Sequence, residues 1–215
     1  MDTIADMVAV ERQALVDQLA QLDDDAWTRA SLCTGWRIRE VVSHLVMPYE
    51  MSVPRLLRLM ATNRFDFDRV ADVVARRDER PAPELVAALR ATAGRRFPPG
   101  GGPAAPLTHL VVHGQDIRRP LGLNRTGLPA AHANVTLDQL TSPKASGLRP
   151  AGLLDGLRFV STDTGWTHGT GAEVAGSAAD LITTLAGRPS VLDGLTGAGV
   201  ARLRGTLTPQ PGGNR

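Results

Sequence analysis

The sequence has one cysteine, Cys33, in 215 residues, so no disulfide can close within the chain. A disulfide-stapled scaffold is excluded, and a reducing compartment is the default expectation. Lysine is almost absent: Lys144 stands alone, and arginine supplies the rest of the 24 basic residues. Against 22 acidic residues the formal net charge is only +2, so the pI of about 9.3 reflects arginine usage. A charge this small does not support sequence-independent phosphate binding. Aromatic residues, at 4%, leave few platforms on which bases could stack. Nucleic acid is therefore not an expected partner. No run of 18 apolar residues occurs, so nothing reads as membrane-spanning and no membrane partner is expected. Asp2, Asp6, Glu11 and Asp17 interrupt the first 22 residues, where a signal peptide needs an apolar core. The expected location is the cytoplasm.

Hydrophobic residues make up 42% of the chain, enough for a buried core, and the length allows one large domain or two small ones. Arginine in place of lysine, with abundant alanine, glycine and proline, suits a high-GC bacterial genome. The first half reads as helical. Ile4, Met7, Val8, Leu15, Leu19 and Leu22 form one amphipathic stripe, with Asp2 or Thr3 as its cap. The acidic run Asp23–Asp25 is expected to end that helix and lead into a loop. A second helix is predicted from near Trp36 through Val46, with a kink or break at Pro48 or Pro54. Further helical stretches cover residues 65–77 and 83–97. After the Pro/Gly-rich loop at 97–103, a fourth helix is predicted from about Ala105 to Leu121.

Beyond Gly122 the texture changes: glycines recur and helical periodicity weakens. Residues 157–162 and 172–175 read as strands, joined as a hairpin by the loop Gly165–Gly171. Ser177 is expected to cap a helix running to Ala186. The tail from Thr208 to Arg215 is polar and rich in Pro and Gly. This predicts an α+β protein: a four-helix bundle over residues 1–125, then a small α+β domain over 126–215.

The chemistry-bearing residues are histidines. His109 and His113 stand four apart on the predicted fourth helix, so their imidazoles share one face beside Leu110, Val111 and Val112. Burying such a pair is costly unless it is satisfied, and a metal ion would satisfy it. Backbone or water would do so too, and spacing alone leaves both readings open. His44, among Val41, Val42, Leu45 and Val46, is the third ligand candidate; three imidazoles with an open position make a catalytic type of zinc site.

Cys33-Thr34-Gly35-Trp36 followed by Val41-Val42-Ser43-His44-Leu45 resembles a signature of the mycothiol-dependent maleylpyruvate isomerase family, part of the DinB-like superfamily. His113-Gly114-Gln115-Asp116-Ile117 resembles that family's second motif. Phe159–Asp163, Gly165–Gly169, Gly176–Leu181 and Leu185-Ala186-Gly187-Arg188 look like its small C-terminal domain. The resemblance implies a DinB-like four-helix bundle with metal ligands at His44, His109 and His113. Zinc is the expected ion and nickel the alternative. In one departure, the isomerases proper have a glutamate where this chain has His109; three histidines resemble the broader DinB-like thiol transferases. The implied cosubstrate is mycothiol, a small actinobacterial thiol, added as thiolate to a small electrophile by a transferase or isomerase.

Asp116, three after His113, is a candidate to hold a ligand imidazole's N–H, or else to pair with Arg118 or Arg119. Arg188 matches the family's arginine after the C-terminal helix and is a candidate catalytic residue for an anionic substrate; otherwise it caps that helix. His168, in a Gly-rich loop, could line the site or simply form the turn. Cys33 has no base at a diagnostic spacing, so a small buried thiol is expected. The rival readings are a non-catalytic metal- or small-molecule-binding protein and a metal-dependent hydrolase. A monomer or a homodimer fits equally.

Overall fold

The computed structural model describes residues 2–98, 102–123 and 127–208. The glycines at the centre of the 97–103 loop, the proposed boundary at 125/126 and nearly all of the polar tail lie outside the described residues. The chain is α+β: helices make up most of it, and a small three-stranded sheet lies near its C-terminal end. It divides into two compact units. One comprises Met1–Gly100 with Asp116–Leu123, the other Gly101–Gln115 with Asn124–Arg215.

The first unit is helical. Helix α1 (Ile4–Leu19) starts on a capping box, in which the Thr3 hydroxyl accepts from the Asp6 N–H and the Asp6 carboxylate accepts from the Thr3 N–H. The acidic run at 23–25 builds a helix rather than a loop: Asp23 caps the short α2 (Asp24–Thr28) by accepting from the Ala26 N–H at 2.8 Å. Carboxylates suit the first turn because its N–H groups have no partner within the helix. Helix α3 (Ile38–Glu50) is central. Ile38, Val41, Val42, Leu45 and Val46 are almost fully buried, and each contributes about 1.5–3 kcal/mol of transfer free energy. It continues through Pro48 and breaks at Met51, and Pro54 falls in the first turn of α4 (Val53–Thr62), where its missing N–H costs nothing. Helices α5 (Phe67–Arg76) and α6 (Ala82–Ala91) pack against α3, and α1 packs against α6.

Helix α4 ends without the usual glycine. The Phe65 N–H reaches back to the Met60 carbonyl at 2.8 Å, while Arg64 and Phe65 both take left-handed conformations, with φ of 59° and 60°. That conformation crowds a Cβ against the backbone. Arg64→Gly is expected to raise stability by about 1 kcal/mol, read as a higher midpoint in urea unfolding.

A polar cluster ties α3 to the loop between α5 and α6. The Ser43 hydroxyl and an Arg80 N–H each donate to Asp78 at 2.6 Å, and a second Arg80 N–H donates to Glu50 at 3.1 Å. Arg39 closes the loop by donating to the Asp78 and Arg80 carbonyls, each at 2.9 Å. Burial works to raise the Asp78 pKa, but the hydrogen bonds from Arg80 and Ser43 outweigh it and hold the carboxyl at about 2. The folded-state value lies below the ordinary 3.8. The pairing therefore stabilises fully above that value and is lost as pH falls through about 2. Asp78→Asn is expected to cost about 1–2 kcal/mol at neutral pH, allowing for solvent screening at the partly exposed Arg80. Urea unfolding at pH 7 and near pH ~2 should show the gap between variant and wild type closing in acid.

The second unit holds the first three turns of α7 (Ala105–Arg118), α8 (Ala130–Thr141), the sheet, α9 (Ala178–Leu185) and α10 (Val200–Leu207). Ser177 caps α9 as expected, accepting from the Asp180 N–H at 3.1 Å. The sheet differs from the expected hairpin. Strand β1 (Leu157–Ser161) is central, β2 (Thr167–Gly169) pairs with it antiparallel, and β3 (Ala172–Gly176) pairs with its other edge in parallel. Part of the supposed hairpin loop is thus itself a strand. The reversal from β2 to β3 depends on Gly171, at φ 126°, where any Cβ would collide with the Gly156 carbonyl. Helix α9 covers β1 and β3, and α8 packs against α9. Helix α8 was not foreseen because polar His132, Thr136 and Gln139 are buried with Ala133, Leu137 and Leu140, which blurs its apolar stripe.

Candidate functional site

Helix α7 carries three of the candidate residues. Its buried face is Leu107, Leu110, Val111 and Ile117, which leaves His109 and His113 half-buried beside it. One helical turn separates them, and their rings meet edge-on, with centroids 4.9 Å apart and planes at 82°. Two such rings present nitrogen donors to a common region, as the spacing predicts.

His44 lies half-buried on α3, one turn before Pro48. Trp36, just ahead of the helix, backs its ring at 5.1 Å, tilted by 55°. The indole is fixed in turn: its Nε1–H donates to Asp72 at 2.8 Å, and Arg76 donates to the same carboxylate oxygen at 2.7 Å. These bonds hold the Asp72 carboxyl below its ordinary range, that from Trp36 contributing most. Glu40, almost fully buried, accepts from the Arg37 N–H at 2.7 Å and starts the helix. The signature around His44 therefore has a local physical meaning. Glu40 sets where α3 begins, and Trp36 sets the lie of the histidine ring. The support from Trp36 and Asp72 was not foreseen, since the two are 36 residues apart.

Asp116 is buried, at 1% exposure, near the end of α7. Its carboxylate accepts from the Cys33 thiol at 3.1 Å, and its carbonyl accepts from the Leu32 N–H at 3.1 Å. Neither contact was foreseen, because the two stretches lie 83 residues apart. An Arg118 N–H donates to Gln18 at 2.6 Å. In the second unit, His168 lies on β2 opposite Phe159 rather than in a loop, and its ring stacks on Trp166 at 5.9 Å and 10°. The Trp166 Nε1–H donates to Asp138 on α8 at 2.8 Å, which anchors that stack. Arg188 follows α9 and donates to the Ala186 carbonyl.

Residues 8–98 match the family model described as the mycothiol maleylpyruvate isomerase N-terminal domain. A solved structure of a histidine-to-alanine mutant of the mycothiol-dependent maleylpyruvate isomerase superposes with a TM-score of 0.59, covering 92% of this chain and 96% of that one at 15% identity. A second structure of the mycothiol-dependent maleylpyruvate isomerase gives a TM-score of 0.49, with the same coverage and 16% identity. No curated protein matches. A helical region followed by a small three-stranded α+β region is thus the fold of that isomerase. Residues 8–98 are thus similar to the N-terminal domain of that family, and the chain shares the fold of the isomerase.

Proposed function

We propose that this chain is a metal- and mycothiol-dependent enzyme that adds the thiol to a small electrophile, as an S-transferase or an isomerase. His44, His109 and His113 are the proposed metal ligands. The observation that carries the reading is the edge-on pair His109–His113 on one face of α7, in a chain whose residues 8–98 match that family's N-terminal domain. The donor set fits the group: imidazoles suit divalent first-row ions, zinc foremost and nickel next. Such an ion, when bound, lowers the pKa of a coordinated thiol and so favours the nucleophilic form.

The chain's own residues do the rest. Trp36 restricts the His44 ring, so less orientational freedom is lost when a ligand bond forms. Asp116, anchored at the end of α7, is proposed to help hold a neighbouring donor group in place. Arg188 is proposed to exchange its bond to the Ala186 carbonyl for a substrate carboxylate, which its planar fork matches. His168, stacked on Trp166, is proposed to contact the thiol cosubstrate. The sulfur forms a bond to the electrophilic carbon as a carbon–carbon π bond of the substrate opens, its electron pair moving onto the substrate. A proton equal to the one the thiol lost is taken up there when the adduct is released. In transfer the adduct is released; in isomerisation the carbon–sulfur bond breaks after rotation, and the thiol is regenerated.

Two measurements test this on protein purified without a histidine tag. Elemental analysis should find about one divalent ion per chain, as a three-histidine site requires. Calorimetry should then show mycothiol binding that disappears in His44→Ala. Metal without any affinity for thiol would refute thiol activation and favour the hydrolase or a non-catalytic binding protein. A metal content far below one equivalent would remove the site itself.

A further inference from the structure

Helix α5 carries a pair of surface residues that the proposed chemistry leaves unused. Asp72 and Arg76 stand one turn apart, with side chains 42% and 51% exposed. An ion pair this open adds little to stability. Its hydrogen bonds nevertheless form a closed ring. The Arg76 Nε–H and the Trp36 indole N–H share one oxygen of Asp72, at 2.7 and 2.8 Å. Another N–H of Arg76 donates at 2.8 Å to the carbonyl of Gly35, the residue before Trp36. A charged donor thus holds the carboxylate against rotation, and the carboxylate holds the indole. The Trp36 backbone is held as well. Its carbonyl accepts from the Ser31 N–H at 2.9 Å, and its own N–H donates to the Cys33 carbonyl at 3.0 Å. All of these residues belong to the first unit.

We propose, on the reading of His44 as a metal ligand, that Asp72 and Arg76 are positioning residues for its ring. They act through the indole of Trp36 and set the affinity of the site for its divalent ion. In a helix the Cα–Cβ bond tilts toward the N-terminus, so His44 leans back toward the start of α3, where Trp36 stands. The indole meets the imidazole there at 5.1 Å and 55°. Trp36 lies ahead of Ile38–Glu50, so the helix does not fix its side chain; the bond to Asp72 does. An indole N–H is a donor only, so its one acceptor decides how the ring lies. That orientation passes to His44 by contact. A ligand ring oriented before the ion arrives loses less freedom when the metal–nitrogen bond forms. An exposed pair of little worth to stability thereby gains a use at the site.

The test measures the zinc affinity of the full chain by competition with a chromophoric chelator. Asp72→Ala should weaken it about tenfold or more, the usual loss on removing an outer partner of a metal ligand. Asp72→Asn should stay within about threefold of wild type, because its amide oxygen still accepts the indole N–H. Trp36→Phe keeps a ring beside His44 but has no N–H, and should lose as much as Asp72→Ala. In the double variant the two losses should not multiply, since both remove one bond. Imidazole NMR of the metal-free chain reads the ring's position without any ion. The indole ring current should displace the His44 signals in wild type and Asp72→Asn, and release them in Asp72→Ala. The thermal midpoint of metal-free Asp72→Ala should be unchanged, as for any open ion pair. Unchanged zinc affinity in Asp72→Ala, equal losses in the alanine and asparagine variants, or losses that multiply in the double variant would each overturn the proposal. So would loss of affinity only in variants that unfold. A wild-type chain that binds no zinc would instead refute His44 as a ligand, and the NMR comparison would still decide whether Asp72 orients its ring.

Discussion

His113→Ala is expected to lower bound metal from about one equivalent to under about a tenth, and with it thiol-dependent turnover by about a thousandfold or more. The argument starts from the helix. Residues 109 and 113 share one face of α7 with their rings 4.9 Å apart, so removing one breaks the proposed chelating pair and leaves only two of the three proposed ligands. Losing even an outer partner of a metal ligand commonly costs about 10–100-fold in affinity, and losing the ligand itself costs more. The loss should not come from unfolding, because His113 is half-buried rather than part of the apolar face of Leu107, Leu110, Val111 and Ile117. Circular dichroism and the thermal midpoint of the metal-free protein check this. His109→Glu is the sharper companion. The resemblance places a glutamate at this position in the isomerases proper, and a carboxylate oxygen can take the place of the imidazole nitrogen. That variant should keep its metal within about tenfold of wild type. If both variants keep full metal occupancy, the helix pair is not the ligand set.

Gly171→Ala is expected to destabilise the second unit by about 3–5 kcal/mol, enough to unfold a marginal domain at 37 °C. Two costs add at one atom. Alanine cannot comfortably adopt φ 126°, and its methyl group would be driven into the carbonyl of Gly156. That carbonyl already accepts the Ala172 N–H at 3.1 Å as β3 begins, so the backbone cannot retreat without undoing the parallel pairing. Gly122→Ala is the control. It too sits at positive φ, 68°, but a Cβ there would meet nothing within 4 Å. It should cost only about 1–2 kcal/mol, from backbone crowding alone. Urea unfolding of the two variants separates them. Equal midpoints would mean that β3 does not cross back beside Gly156.

The parts of the fold readable in advance were those set by neighbours in sequence. The cap at Thr3, one of the two candidates, the stripe of α1, the core run of α3 and the Ser177 cap of α9 all depend on residues within a few positions of each other. The failures have physical causes too. Asp23 to Asp25 looked like a stop, yet carboxylates cap a helix start as readily. Helix α8 was missed because its buried face mixes Thr136 and His132 with Leu137 and Leu140. The hairpin was wrong because alternation marks a strand but says nothing of its direction. A tract of seven residues bounded by glycines can turn, form β2 and turn again.

The site divides along the same line. By itself, the sequence determined the residue types and the one local geometry that matters, since four residues along a helix is a fixed step and His109 and His113 had to share a face. It also carried the family motifs. Only the tertiary structure decided what surrounds those residues: the indole of Trp36 against His44, Asp72 holding that indole, and the Cys33 thiol on Asp116. These contacts join positions 8 to 83 residues apart. Helical periodicity extends only over a few turns, and no local rule relates chemistry across such distances. Packing alone brings them together.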